Sequence, residues 1–400
     1  MANAYTDTTS GSFGGTVGGA GLVQKAYDRL LEFALRSEPL IRSVADKRPA
    51  RQSIPGSTVV LQKYVDLDAV TGTLTETVDP DAVALTTPTS VTVTLNEYGN
   101  AVLVTRALEL FSLADVDPAL ANIIAYNLAD SIDKVAMTTL RSGTNNIFSG
   151  TATSTATIAA TSTLDSADIR KAVAKLRSNK AKGRRGAAYW VGIHPEVSHD
   201  LRAETGDLGW RYPQSQSASE ASKIWAGEIG EYEGAFFVES SRLYNAKSGA
   251  NQSALTTTAV TVAGVSAAFT FGVASSSVIA ARAEVGDGIA GTGIASGAKI
   301  TALATSGSTT TITVNEAHTA AVTATTVVTV TPVTRVFDTI VAGSQAMAEA
   351  VAEEPHVVIG NVTDKLMRFR PMGWYGVLGF AVYRDEALYR ITSGSSIAAL

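Results

Sequence analysis

Asp117-Pro-Ala-Leu-Ala-Asn-Ile-Ile-Ala-Tyr-Asn-Leu-Ala-Asp-Ser-Ile-Asp-Lys-Val-Ala-Met-Thr-Thr-Leu-Arg-Ser-Gly143 carries the clearest helical pattern in the sequence. Asp117 is a natural N-cap, Pro118 suits the first helical position, and Gly143 provides the stop. Leu120, Ile124, Leu128, Ile132, Val135 and Leu140 share one apolar stripe, which predicts an amphipathic helix over 118–141. A helix of about seven turns with one greasy face needs a sheet or other helices to cover it.

Working outward, 57–104 reads as two long strands around a looser tip. Ser57-Thr-Val-Val-Leu-Gln-Lys-Tyr-Val65 leads out and Val91-Thr-Val-Thr-Leu-Asn-Glu-Tyr98 alternates on the return. The tip at 66–88 is polar and turn-rich. A two-stranded excursion cannot bury its own faces and is marginal alone, so it is expected to lean on another subunit. Upstream, 1–21 is a Gly/Ser/Thr/Ala arm, followed by a short helix carrying Leu22, Ala26, Leu30, Phe33 and Ala34 and ended by Pro39. Downstream, Asp165 caps a helix over 166–179, and Ala187-Ala-Tyr-Trp-Val-Gly-Ile193 reads as a buried strand. His194-Pro195 then opens a short helix reaching Arg202. Near the end, 345–353 is expected to be helical and 375–383 a strand.

Composition breaks near Gly249. Residues 251–333 hold only five charged side chains (Arg282, Glu284, Asp287, Lys299, Glu316) and two aromatics, so this stretch cannot rely on a charged surface. Thr, Ala, Val, Ser and Gly alternate through 257–262, 299–303, 310–314 and 326–331, the pattern of short strands and glycine turns. The reading is a small all-β domain spliced into a surface loop of an α+β host.

The chain has 400 residues, no cysteine and a formal net charge of −5. The length suits two to three domains. Disulfides, thiolate metal sites and thiol catalysis are excluded. The charge gives no global attraction to nucleic acid or an anionic membrane, and no apolar run is long enough to span one. Residues 1–21 lack the pattern of a signal peptide, so a soluble protein made in the cytoplasm is expected.

Candidate chemistry is thin. Gly286-Asp-Gly-Ile-Ala-Gly291 matches the dinucleotide fingerprint, but more glycine and β-type alternation follow where the fingerprint needs a helix, so these are read as β-turn glycines. His194 and His199 are five apart, which does not place them on one helical face as a zinc pair, and His194 is read as a satisfied turn histidine. Asp66/Asp68 and Glu353/Glu354 are adjacent in sequence, which does not make them a hydrolytic carboxylate pair. No catalytic, cofactor or metal residues are assigned. The run Arg170, Lys171, Lys175, Arg177, Lys180, Lys182, Arg184 and Arg185 contains no acid. It could track phosphates, but base-stacking aromatics are absent, and contacts with acidic stretches of a neighbour at 66–81 and 349–354 are favoured.

Several segments resemble the tailed-phage major capsid proteins with the Hong Kong 97-like fold. They are Arg36-Ser-Glu-Pro-Leu40, Leu95-Asn-Glu-Tyr-Gly99, the helix at 117–143, Ile193-His-Pro195, Ala226-Gly-Glu-Ile-Gly230, Gly234-Ala-Phe-Phe-Val-Glu239 and Gly373-Trp-Tyr-Gly376. The resemblance implies an N-terminal arm at 1–36, an extended loop at 57–104, and a peripheral domain at 37–56 and 105–150 with the spine helix at 118–141. It implies an axial domain with the remaining peripheral strands at 151–245 and 334–400. The β insertion at 246–333 departs from the pattern and is expected to project from a shell. The implied function is a non-enzymatic coat subunit that assembles with itself as hexamers and pentamers into an icosahedral virion shell. Scaffolding and portal proteins are implied partners, with packaged double-stranded DNA in weak contact and no membrane. Candidates for contact between subunits are Lys63, Tyr64, Glu76, Arg170, Lys175, Lys180, Lys182 and Arg184. A tail-tube or fibre component is the second reading; it suits the β segment, but the long capped helix argues against it.

Overall fold

The computed structural model describes residues 39–49, 57–67, 69–73, 76, 83–84, 87–106, 116–204, 228–257, 260–323, 326–360 and 368–397. The expected N-terminal arm and its short helix lie outside the described residues, as do 36–38, 226–227 and part of the 66–88 tip.

In chain order, β1 (Ala45–Pro49), the hairpin strands β2 (Thr58–Lys63) and β3 (Thr89–Thr94), and β4 (Asn96–Thr105) precede α1 (Val116–Arg141). Then come β5 (Asn146–Phe148), α2 (Ser166–Ser178), β6 (Tyr189–Ile193), α3 (Pro195–Ala203), β7 (Glu228–Tyr232), β8 (Ala235–Glu239) and β9 (Asn245–Asn251). The Thr/Ala/Val-rich stretch contains β10 (Leu255–Thr257), β11 (Val260–Val262), β12 (Thr270–Ala274), the single turn α4 (Val278–Arg282), β13 (Gly288–Gly291), β14 (Ile300–Ser306), β15 (Thr309–Val314) and β16 (Val328–Thr331). Three long strands, β17 (Val333–Ala342), β18 (Met347–Ile359) and β19 (Phe369–Val382), lead to β20 (Leu388–Ser393).

Chain contacts divide the molecule into two compact units. The larger contains Ser37–Tyr98, Ala129–Pro355 and Gly376–Leu400. Its centre is a mixed sheet of order β5-β20-β17-β6-β8-β7, with β9 also paired to β17. Successive residues of its strands point to opposite faces, and both faces are buried. Tyr189, Val191, Ala235, Phe237 and Val341 join Ile169, Ala172, Val173 and Leu176 of α2 in one core. Trp190, Phe236, Val238, Ile340 and Ala342 join Ala136, Met137 and Leu140 of α1 in another. That is why 187–193 reads as an unbroken apolar strand. α2 begins as its sequence suggests, with Asp165 Oδ1 accepting from the Asp168 N–H at 2.8 Å. Among the described residues α1 runs from Val116 to Arg141, so the expected cap Asp117 lies within it.

The expected helix at 345–353 is a strand. Ala, Glu and Met favour helices in isolation, but Met347–Val351 pairs in parallel with β1, and β19 flanks β18 on its other side. Two ladders of backbone hydrogen bonds outweigh a preference of a few tenths of a kcal/mol per residue, roughly the spread of helix propensities. Where the hairpin meets β19, Gly379 is required: a Cβ there would sit 2.0 Å from the Thr94 carbonyl oxygen. Backbone cannot swing aside as a side chain can.

The segment from Leu255 to Thr331 contributes every strand of two further sheets, β10-β16-β13 and β11-β12-β15-β14. Phe271, Ile279, Ile289, Ile312, Val322 and Val330 lie in a core made entirely of this segment. Within the fingerprint-like motif, Gly286 has φ of +100° and 288–291 is a strand, so these glycines serve turns and strands. In the smaller unit, Asn127 Oδ1 accepts from Trp374 Nε1 at 2.8 Å and from Asn100 Nδ2 at 3.2 Å.

His194 caps α3, its Nδ1 accepting from the Glu196 N–H at 3.3 Å, and its ring lies 4.8 Å from that of Phe337. Burial, with a contribution from Arg335, pushes the imidazole down from 6.5 to about 4. The unfolded chain therefore binds an extra proton between those values. This residue's stabilisation is complete above pH 6.5 and is lost as pH falls toward 4, by at most about 3 kcal/mol. Chemical denaturation of unassembled chain across this window should show a steeper loss for the parent than for His194→Asn, and identical slopes would refute the assignment. Gly379→Ala should lower stability by about 1–3 kcal/mol through overpacking against immovable backbone; an unchanged denaturation midpoint would show that the strands can part.

Candidate assembly surfaces

The hairpin pairs Thr58 with Thr94 through to Lys63 with Thr89, an antiparallel ribbon outside every larger sheet. Val93 is its one fully buried apolar side chain among the described residues. The base is fixed at several points. The Ser57 carbonyl accepts from the Leu95 N–H at 2.8 Å, the Tyr383 hydroxyl donates to the Gln62 carbonyl at 3.2 Å, and Lys63 Nζ pairs with Glu386 at 2.8 Å. Lys63 also holds the Glu386 carboxyl below its ordinary range. Lys63 is thus occupied within its own chain.

Val60 within that root, and the described apolar residues beyond it, are open to solvent. Val60, Tyr64, Val65 and Leu67 are exposed, Val70 is 82% exposed and Val83 75%. Glu76 is exposed beside them. Fully burying one such aliphatic side chain is worth about 1.5–3 kcal/mol, whereas an exposed ion pair is worth about 0–1 kcal/mol. The apolar ribbon therefore outweighs any single charge as a source of association energy.

The basic run divides into tied and open residues. Lys171 pairs with Asp168 at 2.9 Å, Arg185 stacks over Phe236 at 4.5 Å, and Arg184 donates to the Ser43 carbonyl at 2.7 Å. Arg170 is half-buried. Lys175, Lys180 and Lys182 are exposed on the outer side of α2 and the following loop, with no ion pair among the described residues. They form the open part of the run.

The acidic stretch at 349–354 is mostly committed inside the chain. Glu349 is fully buried and pairs with Arg42 at 2.6 Å, while Glu354 meets Arg42 at 3.0 Å and Lys47 at 3.2 Å. The expectation that this stretch offers its charge to a neighbour is corrected accordingly. A second network, Arg242 with Asp130 and Asp133, was not foreseen from sequence. Its partners lie more than a hundred residues apart, and the buried Arg242 had no local pattern to betray it. Among the described residues, no group of three or more His, Cys, Asp or Glu could hold a metal ion. His199 is exposed beside Asp200, His318 is buried against Phe271, and neither lies with His194 in a common site.

No protein-family model matches the chain, and no curated protein does. Solved structures do. The capsid of Ralstonia phage GP4 superposes with a TM-score of 0.59 at 13% identity, covering 94% of this chain and 96% of that one. The head structure of Helicobacter pylori bacteriophage KHP40 gives 0.58 at 12% identity, covering 98% and 99%. The capsid of cyanophage P-SCSP1u gives 0.57 at 13% identity, again covering 98% and 99%. At such low identity the likeness is one of fold, and the chain shares its fold with these phage capsid proteins along nearly all of its length.

Proposed function

We propose that the chain is the major capsid protein of a tailed phage, a coat subunit that self-assembles into the icosahedral shell around double-stranded DNA. The observation that carries this reading is full-length likeness in both directions to phage capsid chains. A fragment or a shared module would cover one partner only. The ribbon supports the same reading, since Val60, Tyr64, Val65, Leu67, Val70 and Val83 are apolar side chains that stand exposed on it among the described residues. In the Hong Kong 97-like arrangement, 1–36 is the arm, 57–104 the extended loop and α1 the spine. Residues 37–56 and 105–150 belong to the peripheral domain, and 151–245 with 334–400 to the axial domain and remaining strands. Of the expected insertion at 246–333, residues 255–331 are the inserted β domain, because 246–251 pair with β17 of the central sheet. Subunits form hexamers and pentamers in the virion after assembly in the host cytoplasm, with scaffolding and portal proteins as partners. The role is structural, without catalysis.

Tyr64, Glu76 and the open lysines are the contact residues on this reading, with Arg170 at their margin. Lys63 and Arg184 act indirectly, by fixing the ribbon root and the loop after α2. Electron microscopy of the expressed chain, with scaffolding protein where one is encoded nearby, should show closed shells; tubes or fibres would favour a tail component instead.

Val70→Asp and Val83→Asp should change subunit stability by no more than about 0.5 kcal/mol, as exposed substitutions usually do. Both should sharply reduce shell yield in sedimentation. Normal shells from the double variant would remove the ribbon tip from the interface. Reversing Lys175, Lys180 and Lys182 to Glu should impair assembly of empty shells, and added salt should reproduce part of that defect in the parent. If the triple variant builds normal empty shells yet fails to retain DNA, the patch faces the genome.

A further inference from the structure

β9 and β17 are the strands that flank the β-rich segment in sequence, and they pair antiparallel with Lys247 directly opposite Arg335. Two cations facing each other across a ladder repel. Here the gap between them is filled by acids from a single turn of the β segment. Asp287, wholly buried, accepts from Lys247 Nζ at 2.6 Å, from the Val333 N–H at 3.1 Å and from the Glu284 N–H at 2.8 Å. Glu284 meets Lys247 at 3.2 Å and Arg335 at 2.8 Å. Burial raises the Glu284 carboxyl, yet Lys247 and Arg335 together hold it below its ordinary range. Gly286, between the two acids, brings its backbone close to Lys247: a Cβ there would sit 3.3 Å from the lysine Cβ.

We infer that Glu284 and Asp287 form a charged plug seated in a socket made by Lys247 and Arg335, and that this plug fixes the orientation of segment 255–331 on the strands that carry it. The inference rests on reading that segment as an inserted domain. It gives the Gly-Asp-Gly motif at 286–288 a positioning role in place of a cofactor-binding one. Asp287 is the centre of the device, because one carboxylate ties the β segment to both flanking strands. A buried charge stripped of its partner is costly, so either half alone should loosen the joint. Three of the five charges of this segment, Arg282, Glu284 and Asp287, fall within six residues.

The chain has no cysteine, so labels can be placed at will. Ser178→Cys at the end of α2 and Ser308→Cys in the β14–β15 turn are both exposed and carry spin labels for distance measurement on unassembled full-length chain. The parent should give one narrow distance. Asp287→Asn and Lys247→Met should each replace it with a broad or double distribution, and the charge-swapped pair Lys247→Asp with Asp287→Lys should recover much of the narrow one. An unchanged narrow distance in both single variants overturns the inference, as does a digest in which one cross-linked peptide, a water lighter than its two parts, joins Lys247 to Asp287 by an amide. If the single variants do not fold, recovery of folding by the swap supports the plug and failure of the swap rejects it. Deleting 251–333 separates the two readings. Aggregation of the deletion even with Lys247→Ser and Arg335→Thr would sink the inserted domain, whereas folding only when those cations are removed supports both.

Discussion

A sheet buried on both faces must place an apolar side chain at nearly every position, and the larger unit is organised around that demand. Tyr189, Trp190 and Val191 serve two cores by turns, as do Ala235, Phe236 and Phe237. α2 closes one face and the end of α1 the other. Because β17 lies in the middle of that sheet, its placement also sets where β9 and the segment beyond it emerge. Where a charge enters this layer it is met by partners: Asp338 is buried but bonded to Arg141 at 2.7 Å and to Thr392 at 3.0 Å.

Charge is used differently at the surface and inside. Inside, Glu349, Asp133 and Asp287 are buried carboxylates each met by an arginine or lysine. Removing one partner of such a pair strands the other, which costs more than the pair itself contributes. Outside, Lys175, Lys180 and Lys182 are left open, where charge costs little and can meet a neighbour or a phosphate. The same residue types thus pair within the fold in one place and stand open at the surface in another, and burial decides which.

Elements with local causes were legible from sequence. The cap at Asp165, the stripe through Ile124, Ile132 and Leu140, and the alternation of β14 and β15 all depend on residues a few positions apart. What escaped was non-local. β18 reads as a helix in the sequence because the neighbours that make it a strand lie elsewhere in the chain, and Glu349 finds Arg42 across 307 residues. Arg184 stands out in the sequence for its charge, yet it donates to a backbone carbonyl 141 residues away. Lys63 likewise meets Glu386 across 323 residues. The apolar residues of the ribbon were visible, but their exposure was not, since alternation looks the same whether a face is covered or bare.

The root of the ribbon carries a mechanical consequence. At Gly379 the β19 backbone lies against the Thr94 carbonyl with no side chain between them, and Tyr383 and Glu386 grip the other strand at Gln62 and Lys63. A soft layer of side chains would absorb a tug on the tip by sliding. A backbone-to-backbone clamp has no such compliance, so the ribbon acts as a cantilever whose load passes into the turn joining β19 to β20. From there it enters the sheet that is covered on both faces. A neighbour pulling on one ribbon would in this way strain the centre of the subunit that owns it.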